Sequence, residues 1–140
     1  MRIPTRKITL LLILLGLISG PVFANNAGAL DQKYHFAGLE TVDHFKNWTI
    51  DGWNVIDRRS LIVYASPSRA YLLILDRHLW DLRFSEAIFI SSTASTVSER
   101  FDTVRVLNRR TISTPARIVK MYRLEGKEQR RLVRDQILGS

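Results

Sequence analysis

The segment LIVYASPSRAYLLIL, residues 61–75, contains two apolar runs of strand length on either side of a four-residue turn. β-Branched Ile62 and Val63 favour a strand, and Pro67 between two serines favours a tight turn. Together the two runs predict a β-hairpin. Because both runs are apolar at every position, we expect central strands that are covered on both faces of a sheet.

Shorter strand-like segments surround this hairpin and are separated by polar turns: residues 53–57, 87–90, 103–107 and 116–124. No helical pattern between them is long enough for a β-α-β crossover, so the sequence predicts a mainly β fold, a small antiparallel curved sheet or barrel. Upstream, aromatic residues recur between Tyr34 and Trp48. We expect that stretch to be a loop or short helix that places its aromatic rings on the core.

Residues 127–138 form the one convincing helical pattern after the N-terminal region. Four cations recur at spacings of three, four and seven residues, which places them on one helix face: Lys127, Arg130, Arg131 and Arg134. Leu132, Val133 and Ile137 lie on the rest of the circumference. The sequence therefore predicts a basic C-terminal helix that either packs on the sheet or lies on an anionic surface.

Residues 1–24 have the layout of a secretory signal peptide. Arg2, Arg6 and Lys7 precede an apolar run over residues 8–18, and residues 22–24, Val-Phe-Ala, form a cleavage site before Asn25. The run is much shorter than the roughly 20 residues that span a bilayer. We expect cleavage after Ala24, a periplasmic location and no transmembrane segment in the processed protein; an uncleaved anchor is the alternative.

Removing 24 of the 140 residues leaves 116, which is one domain. We expect a leader and aromatic loop over 25–47, a β domain over 48–124 and the basic helix over 125–140. The whole chain has a formal net charge of +8, and the basic excess lies in the last third. A solvated basic face is the simpler interpretation, and a surface for an anionic partner such as phospholipid head groups or acidic polysaccharide is the alternative.

The sequence lacks the residues and motifs that several kinds of catalytic and metal site require. The chain has no cysteine, which excludes a thiol nucleophile, a redox pair and a cysteine-based metal site. Its three histidines do not have metal-ligand spacing, and no nucleophile elbow or phosphate-binding loop occurs. We therefore expect no catalytic, metal or cofactor site. A small hydrolase remains an alternative, because a carboxylate pair could be assembled from Asp51, Asp57, Asp81, Glu86 and Asp102.

Residues 80–84, Trp-Asp-Leu-Arg-Phe, and the pair Phe101-Asp102 place carboxylates beside large apolar side chains. This arrangement favours aromatic core residues with aspartates that cap nearby turns. The alternative is a shallow pocket in which Arg83 contacts an anion. The candidate anion contacts are thus Arg83, Lys127, Arg130, Arg131 and Arg134.

The order of five motifs, at residues 50–57, 69–75, 81–88, 101–106 and 117–121, resembles a family of small exported proteobacterial proteins known only as a domain of unknown function. The resemblance covers residues 48–124 and implies a Gram-negative envelope protein without supplying an activity. Family members carry a cysteine pair at positions that here hold Trp80 and Ala116. The resemblance therefore implies that this chain has lost a disulfide.

The leading functional prediction is an exported, non-enzymatic binding or interaction module whose partner is an envelope component, such as a protein. One alternative is peripheral association with an anionic envelope lipid or polysaccharide through the basic helix, and the other is the hydrolase. Nucleic acid is not an expected partner.

Overall fold

The computed structural model describes residues 30–139, so the predicted signal peptide lies outside the described residues. Two short 3-10 helices, Gln32–Tyr34 and Leu82–Phe84, accompany the main elements. In chain order these elements are β1 (His44–Lys46), β2 (Gly52–Asp57), β3 (Ser60–Ser66), β4 (Arg69–Leu75), β5 (Ala87–Ile90), β6 (Thr96–Ser98), β7 (Thr103–Asn108), β8 (Thr111–Ile112), β9 (Ala116–Glu125) and the helix α1 (Gly126–Leu138).

The main sheet has the strand order β2-β3-β4-β9-β7-β5, with β8 paired to β7. Every pairing is antiparallel, and β1 and β6 form a separate two-stranded ribbon. The sheet curls into a half-barrel, and the one helix follows the last strand. The predicted fold class, mainly β with a C-terminal helix, is confirmed.

The β3–β4 hairpin lies at the centre of the fold and is covered on both faces, as its uninterrupted apolar character predicts. Leu61 and Leu73 pack into a cluster with residues of β1, β6 and β7, which we call the inner cluster. Ile62 and Leu72 face the opposite way, into a second cluster that includes Val133 of α1. A strand with two buried faces needs apolar side chains at consecutive positions, which explains why this stretch lacks the usual alternation.

The outer cluster is closed by α1 together with residues 30–39. Val133 and Ile137 of the helix are buried there, next to Tyr34 and Phe36. The side-chain amide of Gln136 donates to the main-chain carbonyls of Lys33 and His35, at 3.0 Å each. Residues 30–39, which fall within the predicted leader and aromatic loop, are thus a structural layer of the domain and not a loose extension.

Several aromatic residues are placed differently from the sequence prediction. Tyr34, Phe36 and Phe45 are buried as expected, but Trp48 is 76% exposed. The prediction of aromatic core residues in the two carboxylate-bearing segments is wrong, since Trp80, Phe84 and Phe101 are 68%, 74% and 84% exposed. In the first of these segments Leu82 is buried instead, as is Leu79 just before it. The segment predicted as a loop or short helix also contains strand β1.

Candidate functional site

The four helix cations predicted to share a face converge on one groove. Lys127, Arg130, Arg131 and Arg134 line a concavity of about 380 Å³ between α1 and β3, together with the residues Tyr64 and Glu128. We call this the basic groove. Gly126 has a φ of +71° and forms the junction at which β9 passes directly into the helix beside this groove. Helical periodicity then brings the four side chains to the same side.

The groove has an excess of positive charge. The Arg130 guanidinium lies over the Tyr64 ring, 5.8 Å from its centroid. Arg131 is 3.6 Å from Glu128, but both side chains are largely exposed, so this ion pair contributes little. Lys127 and Arg134 make no ion pair with any residue that the structure describes. Four cations thus face a single carboxylate.

Arg83, the fifth candidate anion contact, is not one of the residues that line the basic groove. It lies in the 3-10 turn after β4, is exposed, and approaches the main-chain carbonyl of Ile56 at 3.5 Å. The structure therefore brings four of the five predicted cations together and places Arg83 at a separate turn.

Asp57, at the end of β2, is the most heavily engaged carboxylate. Its Oδ2 accepts from the Tyr34 hydroxyl at 2.6 Å and from the Lys33 ammonium at 3.1 Å. Its Oδ1 accepts from the Ser60 hydroxyl at 2.7 Å and from the Arg59 N–H at 2.9 Å. Burial acts to raise the pKa of Asp57, but these four hydrogen bonds outweigh it and hold that pKa below its usual value.

Tyr34 belongs to the same cluster and is fully buried. Its burial, followed by its hydrogen bond to the Asp57 carboxylate, raises the pKa of the phenol well above its ordinary value. The cluster thus holds a charged carboxylate and a neutral phenol locked together. A group whose acceptor sites are all occupied is suited to fastening residues 33–34 to the β2–β3 turn, not to proton transfer with a substrate.

Two further carboxylates, Asp102 and Glu99, stabilise the region around β6. Asp102 accepts from the Ser91 hydroxyl at 2.6 Å and from the Ser98 N–H at 2.7 Å, and so caps a turn as predicted. The same prediction is wrong for Asp81, which precedes the second 3-10 helix but makes no side-chain cap hydrogen bond. Glu99 is buried and accepts from the Met121 N–H of β9 at 3.3 Å. These contacts join β6 and its following turn to the main sheet.

A larger cleft, of about 540 Å³, lies on the opposite face of the β3–β4 hairpin, beside β1. We call it the aromatic cleft, and its lining residues are His44, Phe45, Lys46, Trp48, Thr49, Ala65, Ser66, Arg69 and Tyr71. The Phe45 and Tyr71 rings stack with centroids 4.3 Å apart and an interplanar angle of 13°. No spacing pattern in the sequence marks this site, because Arg69 and Tyr71 come from a different element than His44 and Trp48.

A family model described as "Family of unknown function (DUF6491)" matches residues 4–139. The chain belongs to DUF6491. No curated protein and no solved structure matches the chain. The resemblance to a domain of unknown function is confirmed at this level, whereas a proteobacterial source and an exported location stay predictions.

In this DUF6491 protein, the two positions at which the resemblance places cysteines lie on adjoining segments. The N–H of Asp76 donates to the Arg117 carbonyl, and the Arg117 N–H donates to the Asp76 carboxylate, both at 2.9 Å. Trp80 lines a cavity with Ser113 and Thr114, close in sequence to Ala116. Hydrogen bonds hold these two segments together in a chain that has no cysteine.

Within residues 30–139, no group of three or more histidine, cysteine, aspartate or glutamate side chains could hold a metal ion. No helix in this part of the DUF6491 protein is long and apolar enough to cross a membrane. The carboxylates named for a hydrolase divide into two kinds: Asp57 and Asp102 are engaged in the fold, and Asp51, Asp81 and Glu86 are exposed at the surface.

Proposed function

We propose that this DUF6491 protein is an exported, periplasmic, non-enzymatic binding protein that holds an acidic polysaccharide of the envelope in its basic groove. The main support is the convergence of Lys127, Arg130, Arg131 and Arg134 on one concave surface that has a single carboxylate, Glu128. Such a surface attracts anions and concentrates them at short range.

The state of the buried carboxylates supports a non-enzymatic role. A general acid or base must reach a substrate proton and change its protonation near the working pH. The oxygens of Asp57 and Asp102 instead accept hydrogen bonds from protein donors. The hydrolase alternative would have to use Asp51, Asp81 or Glu86, whose side chains have no hydrogen bond or ion pair to position them among residues 30–139.

The packing of α1 favours a polymer over a membrane as the anionic partner. Val133 and Ile137 are buried against the sheet, so the apolar face of the helix is not available for insertion into a bilayer. The remaining basic face binds anions by electrostatic attraction. A polysaccharide that bears carboxylates can enter the concave groove on this face.

Anionic lipid is the second candidate, and one residue favours it. Leu138 lies four positions after Arg134, on the same face of the helix, and is 51% exposed. An apolar side chain next to the cations would stabilise contact with the headgroup region of a bilayer.

Calorimetry tests whether the basic groove binds an acidic polysaccharide. The processed protein is titrated with soluble polygalacturonate at low and at raised ionic strength. We expect salt-sensitive binding that the double variant R131Q/R134Q weakens by about tenfold, since each exposed contact contributes up to roughly 1 kcal/mol. The matched control is R105Q/R117Q, which removes the same charge from exposed residues outside the groove. Equal losses in both double variants, or no binding by the wild type, would contradict the proposal.

Co-sedimentation with vesicles decides between polymer and lipid. The polymer proposal expects binding to polygalacturonate and no retention on vesicles that contain anionic phospholipid. Retention on anionic vesicles that L138Q reduces, together with absent polymer binding, would establish the lipid candidate instead. Export has its own test: the native product should begin at Asn25, and a product that begins at Met1 in the cytosolic fraction would refute it.

A further inference from the structure

The aromatic cleft goes beyond the proposed function, because it lies on the other face of the hairpin and shares no lining residue with the basic groove. Its volume of about 540 Å³ lies within the range of small-molecule sites. β1 forms one wall, and the end of β3 with the start of β4 forms the other. The Thr49 hydroxyl donates to the Ala65 carbonyl at 3.3 Å and joins the two walls.

Tyr71 gives the cleft an unused hydrogen-bonding group. Its side chain is buried, with 8% of the residue exposed, and its ring is fixed by the stack on Phe45. Its hydroxyl makes no hydrogen bond with any of residues 30–139. The hydroxyl oxygen itself is not buried, so a donor and acceptor is accessible where Tyr71 meets the cleft.

The charge of the lining has one sign. The charged side chains that line the cleft are those of Lys46 and Arg69, and no carboxylate lines it. The Arg69 guanidinium forms no ion pair within the described part of the chain, and the Lys46 ammonium donates to the Thr96 hydroxyl at 2.6 Å. Cations gathered around a concavity without a counter-charge favour an anionic occupant.

Trp48 adds a flat apolar surface at the rim. It is 76% exposed even though it lines the cleft, so most of its ring is presented to solvent. An indole in this position can stack on a planar aromatic ring or on the apolar face of a pyranose. Ring stacking, a free phenol and unpaired cations are thus combined within one cavity.

We propose that the aromatic cleft binds a small ligand that has both a ring with an apolar face and a negative charge, with Trp48 stacking on that face, Tyr71 hydrogen-bonding to a polar substituent and Arg69 facing the anion. This chemistry is shared by aromatic carboxylates and by acidic sugars. Binding of either class supports the proposal and identifies the source of the ring.

The test titrates the processed protein with two anionic probes, 2-naphthoate and glucuronate, each paired with a neutral analogue, 2-naphthamide and glucose. Calorimetry measures affinity, and tryptophan fluorescence reports a ring that stacks on Trp48. We expect at least one anionic probe to bind more tightly than its neutral analogue by about tenfold, because the neutral analogue lacks the contact with the cations.

The variants Y71F and R69Q should each weaken binding of that probe by about five- to tenfold. Each should leave the unfolding midpoint near that of the wild type, since neither removed group has a partner in the described fold. R105Q is the matched control for R69Q and should bind as the wild type does. R131Q/R134Q should also retain the probe, so that failure of the basic groove and failure of the cleft can be distinguished.

The proposal is overturned if neither anionic probe binds. It is also overturned if the neutral analogues bind as tightly, or if Y71F and R69Q both bind like the wild type. If Y71F alone proves unstable, W48S replaces it, because an exposed rim residue can change without loss of the core.

Discussion

Replacing Tyr34 with phenylalanine tests whether the cluster around Asp57 stabilises the fold. The substitution removes one hydroxyl and keeps a ring that is fully buried against the outer core. The lost contact is the 2.6 Å hydrogen bond to the Asp57 carboxylate, and hydrogen bonds to charged groups contribute about 1.5–3 kcal/mol. Asp57 keeps three other donors, so we expect the lower end, about 1.5–2 kcal/mol of unfolding free energy at neutral pH.

Urea unfolding followed by far-UV circular dichroism measures this loss, with Y64F as the matched control. Tyr64 is half-buried, and its hydroxyl makes no hydrogen bond with the described residues, so Y64F should lie within about 0.5 kcal/mol of the wild type. A Y34F protein as stable as Y64F would refute the assignment of Asp57 as a structural fastening point.

The same variant has a predicted pH dependence at both ends of the scale. The folded pKa of Asp57 is lowered, so the carboxylate stabilises the fold above its unfolded pKa of about 3.9, and this contribution is lost as the pH falls through the folded value. The folded pKa of Tyr34 is raised, so its contribution is complete below about pH 10 and is lost as the pH rises through the folded value. The difference between Y34F and wild type should therefore shrink in acid and in strong alkali; a constant difference would contradict the mechanism.

Three further substitutions probe other parts of the fold by urea unfolding. L73A should cost about 2–5 kcal/mol, because Leu73 is fully buried on a central strand; a cost below about 1 kcal/mol would show that the site collapses without a cavity. G126A should cost about 1–2 kcal/mol, since the space is open but φ is +71°, and a neutral result would mean that the β9–α1 junction relaxes. W48S should leave the stability within about 0.5 kcal/mol, and a larger loss would show that the exposed indole packs in solution.

The central part of the fold was predictable because its signals are local. The β3–β4 hairpin follows from two continuous apolar runs and a Ser-Pro turn, and α1 follows from its periodic cations. The short strands could not be predicted in this way. β1 pairs with β6, about fifty residues away in sequence, and each three-residue strand has a single buried side chain, Phe45 or Val97. Three residues give too little alternation to recognise, so the partner determines the strand.

The candidate sites also differ in whether their signals in the sequence are local. The basic groove was predictable, because helical spacing alone places Lys127 and Arg134 on one face. The cluster around Asp57 was not, since its donor Tyr34 comes from a segment 23 residues earlier and reaches the carboxylate only after the outer layer has packed. The aromatic cleft likewise needs the β1 ribbon to lie beside the hairpin. Residues that meet from distant segments have no regular spacing in the sequence, so their contact cannot be predicted from it.

The contact between Gln136 and the carbonyls of Lys33 and His35 links the two extremities of the described domain. During synthesis the earlier segment emerges long before α1, so the outer apolar surface of the hairpin stays uncovered until that helix has been made. Deleting the final two turns of α1 should therefore also destabilise the segment around residue 33. Faster proteolysis near residue 33 would measure the effect of a deletion made about a hundred residues downstream.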